Sequence, residues 1–160
     1  SIDAHIQVAN NSAKRLAGQL VGRIVTVFGA EHLSPVARRW KTQINELAKC
    51  WGQYDYVPEA DHNTLAGVLH PPELLSKIFS VFLLSEHYHP RNQKRMTLTF
   101  TEMMVAGIGT DKIDFPSEDK LSEIWTSILF GDFCSYYLAM LYDIDPTPVD
   151  AIESLKLQMK

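Results

Sequence analysis

Residues 23–49 read Arg23-Ile24-Val25-Thr26-Val27-Phe28, then Gly29-Ala30-Glu31-His32-Leu33, then Ser34-Pro35-Val36-Ala37-Arg38-Arg39-Trp40-Lys41-Thr42-Gln43-Ile44-Asn45-Glu46-Leu47-Ala48-Lys49. The first piece is dense in β-branched residues and reads as a strand, which Gly29 is expected to break. The last piece opens with Ser34 as N-cap and Pro35 at the first helical position. Val36, Trp40, Ile44 and Leu47 then recur at helical spacing, which predicts a helix to about Lys49. A strand that passes through a short loop into a helix is the repeating unit of a parallel sheet.

The same alternation continues on both sides. Upstream, Asn11 is placed to cap a helix whose stripe is Ala13, Leu16, Ala17 and Leu20, with Gly22 ending it. Downstream, Gln53 to Val57 is a weaker strand, Asp61 to Leu69 a short helix, and His70-Pro71-Pro72 a turn. Ile78 to Leu84 is almost wholly apolar, as strands buried on both faces are. Pro90 opens a helix to about Ala106, although Thr97, Thr99 and Thr101 alternate with apolar residues and also fit a strand. Gly107 and Gly109 end it. Lys112 to Phe115 is a short strand. Pro116-Ser117-Glu118-Asp119 leads into a helix carrying Leu121, Ile124, Trp125, Ile128 and Leu129, bent near Gly131 and reaching about Tyr142. Pro148 to Lys160 is a last helix. The pattern as a whole predicts an α/β fold with a parallel sheet.

The chain has 160 residues, 46% of them apolar and 21% charged, which suits one folded unit and argues against disorder. Fifteen basic and nineteen acidic residues give a net charge of -4, so a nucleic-acid partner is not expected. No apolar run approaches the ~20 residues of a membrane span. The start, Ser1-Ile2-Asp3-Ala4, has no signal-peptide character, and a cytoplasmic location is the expectation. Cys50 and Cys134 alone make neither a disulfide framework nor a zinc site, and both read as small apolar fillers.

In parallel sheets ligands gather where loops leave the carboxyl ends of strands, which points to the loops after Phe28, Val57, Leu84 and Phe115. The first leads to a helix N-terminus, but Glu31 would repel a phosphate there. On the following helix Arg39, Gln43 and Glu46 share one flank beside Trp40 and Ile44. A half-desolvated carboxylate in that setting suits a general base, and the same flank also reads as ordinary paired surface charge. Asp61-His62-Asn63 sits in a turn, suited either to proton transfer or to capping. His87 and His89 lack the further ligands a metal needs and read as solvated. Asp132 and Ser135 either face one polar neighbour or simply pack. Lys156 lies on a helix face with Glu153 and Lys160 that reads as solvated.

Five segments together resemble one family. The stretch Pro35 to Lys49 is similar to the R-W-K-T-Q-I-N-E-x-A-K helix of the bifunctional phosphoglucose/phosphomannose isomerases. Asp61-His62-Asn63 resembles the family's H-N turn, with Thr64 standing where the family usually has Glu. Gly131-Asp132-Phe133, Ser135-Tyr136-Tyr137-Leu138-Ala139, Asp145-Pro146-Thr147-Pro148-Val149 and Leu155-Lys156 resemble its C-terminal signature.

The resemblance implies a sugar isomerase (SIS) domain over 1–160: a three-layer, flavodoxin-like sandwich on a parallel sheet of about five strands. It implies the second of two SIS domains, the first supplying most of the phosphate site and an arginine. It further implies interconversion of hexose 6-phosphates through a cis-enediol, with Glu46 as the base. His62 would open the sugar ring of a neighbouring subunit in a homodimer. Lys156 would contact the ring oxygen or nearby hydroxyls. Thr147 would make room for either C2 epimer, and Arg39 is a further substrate-binding candidate. No metal or organic cofactor is called for, and the chain alone is expected to be nearly inactive. The other reading is a non-catalytic SIS module that binds a phosphosugar and regulates a partner.

Overall fold

The computed structural model describes residues 2–160. Its centre is a parallel sheet of β1 (Ile24–Ala30), β2 (Gly52–Val57), β3 (Ile78–Leu84) and β4 (Gly109–Asp114), in the order β2-β1-β3-β4. Ala30 lies beside Val57, and Val25 beside both Gly52 and Phe79. The described residues make four strands, against the about five implied by resemblance: after β4 the chain passes through 115–119 into the helix that starts at Lys120 and forms no further strand. Helices α1 (Ser12–Leu20), α2 (Ser34–Glu46), α3 (Pro72–Leu75), α4 (Pro90–Val105), α5 (Lys120–Leu141) and α6 (Asp150–Gln158) complete the fold.

The two faces of the sheet follow from the period of two along each strand. Phe28 stacks on Phe82, and Phe82 meets Phe100 of α4 edge-on, which puts these side chains on the α4 face. On the other face Phe115 meets Phe130 of α5, and Phe130 stacks on Trp40 of α2. The first crossover turns toward β2 and the later ones turn the opposite way. Right-handed connections therefore place α2 on one face and the 58–77 connection with α4 on the other.

Several local expectations hold and several shift. Asn11 accepts from the Lys14 amide and starts α1, and Gly22 ends it at φ +72°. Gly29 does not break β1, which runs on to Ala30. A Cβ on Gly29 would lie 2.5 Å from the Leu33 carbonyl oxygen, so this glycine lets the chain double back into α2. Leu33, not Ser34, occupies the N-cap of α2, and α2 stops at Glu46 rather than Lys49. The 61–69 stretch forms short 3-10 turns at Glu59–Asp61 and Thr64–Gly67 instead of a helix. Residues 90–105 are helical, and Thr97 and Thr101 satisfy their hydroxyls on the carbonyls of Gln93 and Thr97. The final helix starts at Asp150.

Asp119 caps α5 by accepting from the amides of Leu121 and Ser122. α5 continues unbroken through Gly131, where a Cβ would lie 2.3 Å from the Trp40 indole nitrogen. Trp40 thus packs into the notch that Gly131 leaves, and its Nε1 donates to the Ser127 carbonyl at 2.8 Å. At 22 residues and a mean hydropathy of 1.2, α5 is long and apolar enough to cross a bilayer, contrary to the expectation from runs alone. Its inner face instead packs on α1 and α2 and buries Phe130, Cys134 and Leu138.

Candidate active site

α2 runs antiparallel to β1, so its last residue, Glu46, comes to the amino end of the sheet, beside the start of β2. There Asn45, Glu46 and Lys49 form one wall of an open groove of about 320 Å³. Pro148, Val149, Asp150 and Ile152 form the other. A second shallow groove on the far side of Glu46 is bounded by Lys41, Trp51 and Gln53, and Ile152 borders both. Glu46 is therefore an exposed carboxylate in a cleft between α2 and the start of α6.

The chain around Glu46 is tied down by two side chains. Asn45 Nδ2 donates to the Cys50 carbonyl at 2.9 Å across the turn that follows the helix. In that turn Lys49 takes a left-handed φ of 50°, a conformation that glycine usually supplies at a helix end. Lys49 Nζ then reaches the Glu46 carbonyl at 2.5 Å and the Pro146 carbonyl at 3.2 Å. One ammonium thus joins the end of α2 to the loop that carries Thr147. In that loop Asp145 accepts from the Thr147 amide at 2.8 Å, and this bond leads in holding the Asp145 carboxyl below its usual value. Lys156 stands on α6 one turn beyond Ile152, and is exposed.

The remaining candidates lie elsewhere. Arg39 is on α2 about 10 Å before Glu46. Its Nη2 pairs with Asp132 of α5 at 3.2 Å, on an exposed flank. Ser135, three residues from Asp132, donates to the Gly131 carbonyl within α5, so the two share no partner. His62 is exposed in the connection after β2, on the α4 face. Around it, Asn63 Nδ2 donates to Glu59 at 2.8 Å, and the Thr64 hydroxyl donates to the Asp55 carboxylate. Glu59 and Asp55 thus hold the turn that carries Asn63 and Thr64. Among the described residues Glu46 and His62 share neither a groove nor a contact.

At the carboxyl ends of β1 and β3 the structure has a cluster that no spacing signalled. The Glu123 carboxylate, 2% exposed, accepts from Ser85 Oγ at 2.8 Å and from His32 Nε2 at 2.5 Å. His32 Nδ1 is buried without a partner among the described residues. Tyr88 accepts from the Ala30 amide and donates to the Leu83 carbonyl, and burial pushes its phenol well above the usual range. Glu31 accepts from the His89 amide and from Asn92. Burial alone would raise its carboxyl, but those bonds hold it below its ordinary value. His87 meets the Ser117 carbonyl, and His89 Nδ1 accepts from the Arg91 amide, so neither is simply solvated. A buried carboxylate thus plugs the sheet's switch point, where an anion would otherwise sit. No group of three metal-binding side chains occurs among the described residues. Cys134 is buried, and desolvation raises its thiol far above the ordinary range.

A parallel sheet in the order β2-β1-β3-β4, between α1, α2 and α5 on one side and α4 on the other, has the architecture of sugar-phosphate isomerase domains. A glucose-6-phosphate isomerase like protein from Thermus thermophilus superposes with a TM-score of 0.74 at 21% identity, over 88% of this chain and 47% of that one. The family model described as the bacterial phospho-glucose isomerase C-terminal SIS domain matches residues 9–159, and the chain belongs to that family. The bifunctional phosphoglucose/phosphomannose isomerase of Caldicellulosiruptor bescii is 34% identical over 149 residues, covering 91% of this chain and 43% of its own. The protein of the same name from Aquifex aeolicus is 28% identical over 160 residues, covering 100% and 50%. The chain spans about half the length of these relatives.

Proposed function

We propose that this chain is the base-bearing half of a phosphoglucose/phosphomannose isomerase. It would interconvert glucose 6-phosphate and mannose 6-phosphate with fructose 6-phosphate. Glu46 takes the proton from C2 of the open-chain aldose and returns it to C1, through a cis-enediol, while a proton moves between O1 and O2. Lys156 supplies positive charge near the oxygen on which negative charge develops. Thr147 leaves room for either C2 epimer, and Arg39 adds a further substrate contact. A first SIS domain, outside these residues, supplies the phosphate site. His62 opens the ring in the site of a second subunit, making the working unit a homodimer. The chemistry is proton transfer alone, so no cofactor is assigned.

The observation that carries this reading is the groove between Glu46 and the start of α6. It leaves the carboxylate open to a ligand, with the Thr147 loop fastened beside it through Lys49. The buried Glu123 carboxylate at the switch point agrees with it, since it disfavours a phosphate there. The test is a coupled isomerase assay of the full-length product with fructose 6-phosphate and mannose 6-phosphate. Glu46→Gln is expected to lower kcat by a factor of order 10³ or more. A full-length product without turnover that still binds the sugar phosphates would replace the isomerase with a regulatory sensor.

A further inference from the structure

The outer face of α5 carries Leu121, Trp125, Leu129, Tyr136 and Met140, between 43% and 64% exposed. Their spacing of four or seven residues from one to the next, with Asp132 bridging the longer step, keeps them in one stripe. The opposite side of the helix is core. A helix apolar on both sides lies between two layers of protein or in a bilayer, and here only one protein layer is described. The middle of the stripe is Asp132, paired with Arg39. That exposed ion pair suits the seam of an aqueous protein interface and would be costly against lipid.

We propose that this stripe seats the other half of the full-length polypeptide, resting on the two-domain reading above. Relatives of this chain are about twice its length, so a partner of comparable size is available within one molecule. The stripe also meets the active-site flank. Through Arg39 and Asp132 it joins the side of α2 that bears Gln43 and Glu46. A domain that brings the phosphate of a hexose 6-phosphate to Glu46 approaches along that flank and covers α5 as it does so. Exposed apolar residues lined up in this way, on both sides of one ion pair, mark an interaction site rather than ordinary solvent-facing residues.

The test uses the full-length protein with p-benzoylphenylalanine in place of Trp125 and, in a second variant, in place of Tyr136. After irradiation, the expected product has the mass of one chain, and peptide mapping joins the probe to a peptide outside residues 1–160. A product of twice the chain mass would overturn the proposal in favour of a second copy on this face. Probes that attach only within residues 1–160, or to nothing, would overturn it as well. Turnover of the unirradiated variants is measured separately. The single-chain product from a protein without isomerase activity would uphold the interface and count against the isomerase.

Discussion

Glu46 and His62 lie on opposite faces of the same sheet: Glu46 ends α2 at the amino end of β2, and His62 follows β2 on the α4 side. Strand β2 stands between the proposed base and the proposed ring-opening histidine, and the two share no groove among the described residues. In the proposed symmetric dimer each subunit would lend its His62 to the partner's Glu46.

That geometry predicts complementation. Full-length Glu46→Gln and His62→Ala proteins are each expected to be inactive or nearly so. Unfolded and refolded together in equal amounts, half of the dimers are mixed, and each mixed dimer has one site with both groups intact. Recovery of about a quarter of the wild-type rate is expected. A mixture as inactive as its components would place both groups in one subunit's site.

Lys49 predicts a different kind of defect. Its ammonium joins the Glu46 carbonyl to the Pro146 carbonyl but touches no proposed reacting atom. Lys49→Met is expected to loosen the groove and lower kcat about tenfold with little change in KM, since a small misplacement of a base costs rate more than binding. Lys49→Arg, which keeps donors at the tip, is expected to recover most of it. A change in KM alone, or no rescue by arginine, would assign Lys49 to substrate contact instead.

The fold was readable where local chemistry is strong. The β-branched run of β1, the apolar run of β3, the Asn11 cap and the acidic lead into α5 each announce their element. The helix at 90–105 was ambiguous because alternating threonines imitate a strand, and their bonds to preceding carbonyls remove the objection to a helix. Glu46 stands out as a candidate only by its resemblance to a motif, since spacing alone leaves a charged helix flank. The Lys49 tie and the buried cluster were invisible for another reason. Lys49 and Pro146 are 97 residues apart, and His32 and Glu123 are 91 apart, so only the folded chain brings them together. The carboxyl-end loops drew attention as the usual ligand site, yet the proposed base lies at the other end of the sheet.

Asp119 predicts an acid limb of stability. Its carboxyl is held below the ordinary value of 3.8, first by the Ser122 amide, then by the Ser122 hydroxyl and the Leu121 amide. A carboxyl lowered in the folded state stabilises that state above its unfolded pKa, and the gain fades as pH falls through the folded one. Asp119→Asn can still cap the helix but cannot titrate. The wild-type advantage in urea midpoint is therefore expected at neutral pH and should shrink steadily below about pH 4. An advantage that is the same at pH 7 and pH 3 would show that charge on the cap contributes nothing.

The Glu123 cluster predicts a reversal on double substitution. The carboxylate is buried, and its two side-chain donors are His32 and Ser85. Removing the imidazole leaves a charge with one hydroxyl for company. His32→Ala is thus expected to lower the unfolding free energy by about 3 kcal/mol. Adding Glu123→Gln removes the stranded charge while leaving an oxygen for the Ser85 hydroxyl, so the double variant should recover a good part of that loss. Urea titrations of the single and double variants at pH 7 read the coupling directly. Equal losses in His32→Ala and in the double variant would mean that the charge on Glu123 is not what the imidazole compensates.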